Sequence, residues 1–345
     1  MKYHSMQRMW ECGADYCFTV GGRSNGKSSD MAIRLVEDYI KNGNQFARIV
    51  RYIFDMQDKY VANYFTNDYV SQVLKERYNC YVQYDSPYYL MIDYDNKKKK
   101  QVIGEAMSLS TEQKYKSNQY PYTNNILVEE FSLLDPTKYM DGEIDKFNSL
   151  LSTIVRKREG VRCFFIGNTV SKYNPYFDHF HINIDRLRLK PGDFKWVQQG
   201  KAQFKEPARV AIEFAEMGYE DESEIPRILR VEDNETAVTG LYMTPPDVID
   251  KEEINFQKRT DQFVILVGEY KFFLHVFACF CYWEMCTGSD KNRKPDAMVR
   301  TRCYELGRYF YNFISKMDPP LPKEWYYDTE WTKDYIFKNV NINHS

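Results

Sequence analysis

Two stretches of this chain hold residue types at spacings that support chemistry. Gly21-Gly22-Arg23-Ser24-Asn25-Gly26-Lys27-Ser28 fits G-x-x-x-x-G-K-[ST], a loop that cradles phosphate. Its glycines let backbone N–H groups turn inward and approach an anion closely. A helix starting directly behind it adds partial positive charge at its N-terminus. In such a loop Lys27 reaches the β- and γ-phosphates of ATP and the Ser28 hydroxyl takes Mg²⁺. Gly21 to Ser29 is therefore the candidate nucleotide-binding set. The second stretch, Ile126-Leu127-Val128-Glu129-Glu130-Phe131, is an apolar run ending in two acids. The first acid, Glu129, suits Mg²⁺, directly or through water, and the second, Glu130, can polarise an attacking water.

These groups need a scaffold, and the flanking residues supply one. Tyr16 to Val20 reads as a short buried strand and Ser29 to Lys41 as a helix with Met31, Ile33, Leu35, Val36 and Ile40 on its apolar side. Asn42-Gly43-Asn44 stops that helix, and Gln45 to Tyr52 reads as the next strand. The resulting β-α-β unit predicts an α/β domain with a parallel sheet. A helix is expected over Tyr60 to Glu76, then strands over Tyr78–Tyr84, Tyr88–Tyr94 and Gln101–Ser108. The turn at Asp95 to Lys100 carries four lysines, either a solvated hairpin tip or a contact for a phosphate backbone. Asp145 to Val155 has helical periodicity and ends in the basic cluster Arg156-Lys157-Arg158. Arg162 to Ile166 reads as a buried strand ending at Gly167-Asn168; Asn168 is either a γ-phosphate sensor or an ordinary strand-end asparagine. The lead-in at residues 1–15 is read either as ordinary packing or as a neighbour of the nucleotide base.

Texture changes near Pro191-Gly192. An amphipathic helix is expected over Lys201 to Met217, inside a linker or helical subdomain at 201–250. Strands over 263–268, 272–280 and 281–285 and a helix over 300–317 make a second, α+β domain at 251–345, after a first domain at 1–200. His179 and His181 would share a face on a strand, but no third ligand stands near, so a structural role is the reading. The eight cysteines form no CxxC pair and read as buried free thiols in a reducing compartment. A net charge of −2 announces no global attraction to nucleic acid, while 43% apolar residues suffice for a core. The longest apolar run, Phe272 to Trp283, is too short to span a bilayer, and no signal core opens the chain; a soluble, intracellular protein is expected.

Four blocks in order carry a family resemblance: Gly21–Ser28, Lys116–Phe131, Val155–Cys163 and Asn168–Phe177. The chain resembles the DNA-encapsidation ATPases of small, short-tailed, protein-primed bacteriophages. The match is specific over roughly residues 15–180, and beyond it only the alternation of Phe263 to Met285 is similar. The resemblance implies an additional-strand, catalytic-glutamate P-loop ATPase of the terminase-like type, followed by an RNase H-like domain that no longer cuts. It implies a homo-oligomeric ring (five subunits in the best-known members) at the portal of a procapsid in the host cytoplasm. That ring drives double-stranded viral DNA inward with ATP and Mg²⁺ and is absent from the mature virion. Some relatives also use a structural packaging RNA. By position, Glu130 is implied as the catalytic glutamate, Arg23 as a P-loop arginine and Asn168 as the coupling residue. Arg156 is implied as a finger reaching the neighbouring subunit, and Lys116 as a second basic residue acting in trans. Glu129 replaces the usual aspartate, which changes the reach of the Mg²⁺-side carboxylate.

Three rivals remain at this level. A terminase with a live nuclease would use Glu269, Glu284 and Asp290. A nucleotide kinase shares the P-loop but does not call for Glu129-Glu130. A non-enzymatic scaffold does not call for an intact Lys27, Ser28 and Glu130.

Overall fold

The computed structural model describes residues 3–23, 25–133, 138–169, 174–197 and 206–216, and in the C-terminal region Arg227, 256–259, 261–267, 270–276, 280–286, 294–299, 324–327, 332–333 and Ile336. The chain divides into two compact units.

In the first unit β1 (Tyr16–Gly21) and β2 (Gln45–Val50) flank α2 (Lys27–Asn42), which follows a short α1 (Gln7–Glu11). Gly26 caps α2 at φ 91° and Gly43 closes it at φ 73°, its N–H donating to the Tyr39 carbonyl. The helix expected over 60–76 is two pieces, α3 (Lys59–Ala62) and α4 (Asp68–Tyr78). The break is local chemistry: the Asn67 side chain accepts from the Val70 N–H at 2.8 Å, an N-cap that starts a new helix. β3 (Cys80–Asp85), β4 (Tyr88–Asp93) and β5 (Lys100–Ser108) follow as antiparallel neighbours, then β6 (Thr123–Glu129), α5 (Glu143–Val155) and β7 (Arg162–Asn168). α6 (Pro175–His179), α7 (Ile184–Leu187), β8 (Phe194–Val197) and β9 (Val210–Phe214) complete the unit.

The nine strands form one sheet in the order β3-β4-β5-β2-β6-β7-β1-β9-β8, parallel from β5 to β9. β7 stands between the glycine-loop strand β1 and the acid-bearing strand β6, the additional-strand order the resemblance implies. Successive residues face opposite cores. Cys17, Phe46, Leu127 and Phe164 join one apolar cluster with α2 and α4 residues. Phe18, Ala47, Val128 and Phe165 join another with Phe147, Leu150 and Ile154 of α5. A parallel sheet covered on both faces needs such strands, apolar on both sides.

The segment at 201–217 differs from its expected form: 210–214 is a strand, paired in parallel with β1. The first sheet thus reaches into the segment expected to be linker. All five β9 residues are buried, including Glu213, whose carboxylate accepts from the Arg8 Nε at 2.8 Å and pairs with His4 Nε2 at 3.2 Å. His179 closes α6 and His181 follows at φ 56°, so the two do not share a strand face. Among the described residues the cysteines are free thiols, buried except for half-buried Cys12. No helix among them is long and apolar enough to cross a membrane.

The second unit carries β10 (Asp261–Val267), β11 (Tyr270–Val276) and β12 (Phe280–Met285) as an antiparallel meander. β13 (Ala297–Val299) lies parallel to β10 and β14 (Glu324–Tyr327) parallel to β12. Ile265, Leu274, Trp283 and Tyr327 are buried there. The helix expected over 300–317 and most of the 201–250 segment lie outside the described residues.

Candidate nucleotide site and a distant basic edge

The carboxyl ends of β1, β6 and β7 meet at one cleft of roughly 360 Å³. Its walls include Asn25 to Ser29 of the glycine loop, Glu129 at the end of β6 with Glu130 next to it, and Asn168 at the end of β7. Asn168 pairs in register with Gly21, which seats it beside the loop. Gly21 is needed there: a Cβ would stand 2.9 Å from the Ala215 Cβ. At Gly26 it would stand 2.6 Å from the Tyr3 ring, so the lead-in segment packs directly on the loop. The His4 N–H also donates to the Asn25 carbonyl at 2.7 Å. Arg23 is exposed at the turn, and Ser24 lies outside the described residues.

Lys27 is buried, and its ammonium donates to the carbonyls of Gly22 (2.6 Å) and Gly21 (3.3 Å) and to Asn25 Oδ1 (2.9 Å). Three acceptors match the three donors of an ammonium. Burial pushes Lys27 down to about 7, and the nearby Glu129 charge acts against that. Asn25 is itself fixed, its Nδ2 donating to the Glu216 carbonyl at 3.2 Å just past β9.

Glu129 does not stand alone. Arg48, 2% exposed in the middle of β2, donates from Nη2 to Glu129 Oε2 at 2.6 Å. Its Nη1 donates to the carbonyls of Tyr60 and Val61 and to the Tyr89 hydroxyl, and its guanidinium lies 4.3 Å from the Tyr64 ring centroid. The longer reach of a glutamate is thus used to meet a buried cation. Ser28, Glu129 and Glu130 all line the cleft and bring it hydroxyl and carboxylate oxygens, the hard donors Mg²⁺ prefers.

Glu130 sits at φ 52°, a conformation that costs a non-glycine residue about 1–3 kcal/mol. The surrounding bonds hold it. Its N–H donates to the Ile166 carbonyl at 2.9 Å, and its own carbonyl accepts from Arg51 Nη1 at 3.0 Å. Arg51 is in turn held by both carboxylate oxygens of buried Glu143, the first residue of α5, each at 3.1 Å. Glu143 also accepts from the Tyr176 hydroxyl at 2.9 Å and the Met140 N–H at 2.9 Å. Arg48 and Arg51 were not singled out by sequence reading. A charged residue inside the apolar strand QFARIV was the available signal, because a buried arginine needs an acid. Arg51 lies near the end of the expected strand, where a charged residue is ordinary and gives no such signal.

Arg156 and Lys116 are brought together, but not at this cleft. Arg156 follows α5, and its Nη2 donates to the carbonyls of Asn118 (2.6 Å) and Lys116 (3.4 Å). Arg158 donates from Nη2 to the Thr123 carbonyl at 2.7 Å, at the first residue of β6. The acids stand at the other end of that seven-residue strand, about 20 Å away at the rise of extended chain. Neither Arg156 nor Lys116 is among the cleft walls. The basic edge and the cleft therefore occupy opposite ends of the sheet.

The four lysines at 97–100 are exposed at the β4–β5 turn, where Asp93 Oδ1 accepts from the N–H groups of Asp95 and Asn96. In the second unit Glu284 is buried and bonded to His275 Nε2 at 3.0 Å, while His275 Nδ1 meets Arg259 Nη1 at 3.0 Å. The arginine can only donate, so Nδ1 accepts and the Nε2–H donates to Glu284. Glu269 and Asp290 lie outside the described residues.

A family model described as podovirus DNA encapsidation protein (Gp16) matches residues 2–188. The DNA packaging protein of Bacillus phage phi29 is 32% identical over 187 residues, which is 52% of this chain and 50% of that protein. That of Bacillus phage B103 is 33% identical over 172 residues, 48% of this chain and 47% of the other. The matches thus span about half the length of these curated relatives. Among solved structures, the bacteriophage Phi-29 viral genome packaging motor assembly aligns over 98% of both chains at a TM-score of 0.63 and 21% identity. At that identity the likeness is one of fold, and it extends over both units.

Proposed function

This chain belongs to the podovirus DNA encapsidation protein (Gp16) family, and from that membership we propose that it hydrolyses ATP to drive double-stranded viral DNA into a procapsid. The observation that carries the reading is the split between the cleft at one end of β6 and the Arg156–Lys116 edge at the other. In the cleft, the glycine loop and Lys27 bind the triphosphate, and Glu130 accepts the proton of the attacking water. Ser28 and Glu129 would hold Mg²⁺, which neutralises charge on the β- and γ-phosphates. Asn168, beside the loop, senses the γ-phosphate.

Charge also develops on the transferred phosphoryl group, and a cation there accelerates the step. Arg156 is too far along the sheet to serve its own cleft. A head-to-tail ring supplies it instead to the next subunit, with Lys116 beside it. Such a ring, a pentamer on our reading, would sit at the portal of the procapsid in the host cytoplasm; a structural packaging RNA is a further partner. DNA is gripped by phosphate contacts without base readout, since any genome sequence must pass. The exposed lysines at 97–100 offer such contacts. The engagement of Glu284 with His275 supports a second domain that binds without cutting.

The test is ATP turnover by mixed assemblies with double-stranded DNA present. Arg156→Ala and Glu130→Ala proteins, each inactive alone, are expected to recover part of the activity when mixed. Absence of recovery from two folded, assembling variants would remove the trans role of Arg156. Turnover that ignores DNA would remove the motor.

A further inference from the structure

Arg156 holds an unusual backbone. Its φ of 50° and ψ of −111° match the second position of a type II′ turn, which glycine ordinarily fills. The turn is closed behind it, the Arg158 N–H donating to the Val155 carbonyl at 3.0 Å. A side chain then locks what the turn has set. Arg158 Nη2 donates to the Ile154 carbonyl at 3.0 Å, on the last turn of α5, and to the Thr123 carbonyl. Its Nη1 donates to the Pro121 carbonyl at 3.2 Å and to Asn124 Oδ1. One half-buried guanidinium thus joins the end of the helix that carries Arg156 to the segment that follows Lys116.

We infer that Arg158 is a positioning residue: it sets the pose of Arg156, and with it Lys116, for the neighbouring subunit's site. This rests on the trans reading of Arg156 proposed above. Three features support it. The bonds of Arg158 converge from both segments, as a staple requires. Among the described residues all its acceptors are carbonyl or amide oxygens, and no carboxylate pairs with it. A fixed fork of five donors suits four oxygens in this arrangement, where a lysine's single ammonium does not. A non-glycine residue in that backbone region persists only where its surroundings over-determine it. Arg158 does so by bonding on both sides of the turn.

The experiment extends the mixing assay to Arg158→Ala and Arg158→Lys. Both are expected to lower DNA-stimulated turnover about ten- to a hundredfold, the scale on which a misplaced cation acts. Affinity for a fluorescent ATP analogue should stay within about twofold, because the cleft is at the other end of the sheet. Mixed with Glu130→Ala, each should recover activity as Arg156→Ala does; mixed with Arg156→Ala, neither should. If Arg156→Ala and Glu130→Ala complement but Arg158→Ala does not, the inference falls while the trans reading stands. If no pair complements, both fall. Full activity in Arg158→Lys would make charge rather than the fork the requirement, and lost nucleotide affinity would make the residue structural; either outcome overturns the inference.

Discussion

The two ends of β6 solve one problem with different materials. At the carboxyl end Glu130 is held at φ 52°, and at the amino end Arg156 is held at φ 50°. Each is braced by an arginine that bonds backbone carbonyls, Arg51 in the first case and Arg158 in the second. The brace at the acid end is itself locked by a buried carboxylate, Glu143, with Tyr176 behind it. The half-buried brace at the basic edge leans on carbonyls and one amide oxygen. Leaving one member of a buried charge pair without its partner is costly, whereas removing a half-buried guanidinium from neutral oxygens forfeits only ordinary hydrogen bonds.

That contrast can be broken or sharpened by experiment. The largest effect should come from Glu130→Gln, which keeps the side chain's shape and removes the proposed base. We expect turnover to fall about 10²- to 10⁴-fold with nucleotide affinity retained, measured by steady-state hydrolysis and equilibrium binding. Glu143→Ala should follow, since it leaves the half-buried Arg51 without its acid. A loss of about 3–5 kcal/mol in denaturant unfolding is expected. Arg158→Ala should cost only about 1 kcal/mol in the same assay. Equal losses at the two ends would erase the comparison. Gly167→Ala comes next, because its Cβ would stand 2.7 Å from the Phe131 ring, directly after Glu130. About 1–3 kcal/mol of overpacking is expected, with slower turnover as Glu130 is displaced.

The smallest effect is a pH dependence at the acid end. Lys27 is lowered to about 7 from 10.5 by burial, so the unfolded chain binds more protons than the folded one between those values. Its contribution to stability therefore rises with pH across that window. Nucleotide binding should have the opposite trend, because a bound phosphate favours the ammonium and binding takes up a proton. Affinity is expected to fall about fivefold from pH 7 to pH 8, with proton uptake seen calorimetrically in buffers of different ionisation enthalpy. A flat profile would show that the three acceptors around Lys27 keep it charged throughout.

The candidate site groups of the cleft were legible in the sequence because the chemistry they suit dictates local spacing. The glycine loop, Lys27, Glu129, Glu130 and Asn168 do converge on one cleft. Their supports were less legible, because Arg51 and Glu143 lie far apart in the chain and meet only through the fold. The segment around Val210 misled for a related reason. In a strand buried on both faces, Glu213 reads as the polar side of a helix until Arg8 and His4 are found beside it. The break at Asn67 was a cap inside an otherwise helical pattern. In the second unit the alternation of Phe272 to Met285 was legible as strands because its hairpins are local.

The pairing of β9 with β1 has a consequence for how the protein is made. β1 ends at Gly21, but the strand that covers its outer edge begins only at Val210, and the Glu216 carbonyl that fixes Asn25 comes later still. A ribosome adding about 5–20 residues per second leaves that edge open for on the order of ten to forty seconds. Through that interval the emerging glycine loop lacks the backbone that closes it, and an uncovered strand edge invites pairing with other chains. ATP-binding competence would then arise late in translation, as one of the last properties the first unit acquires.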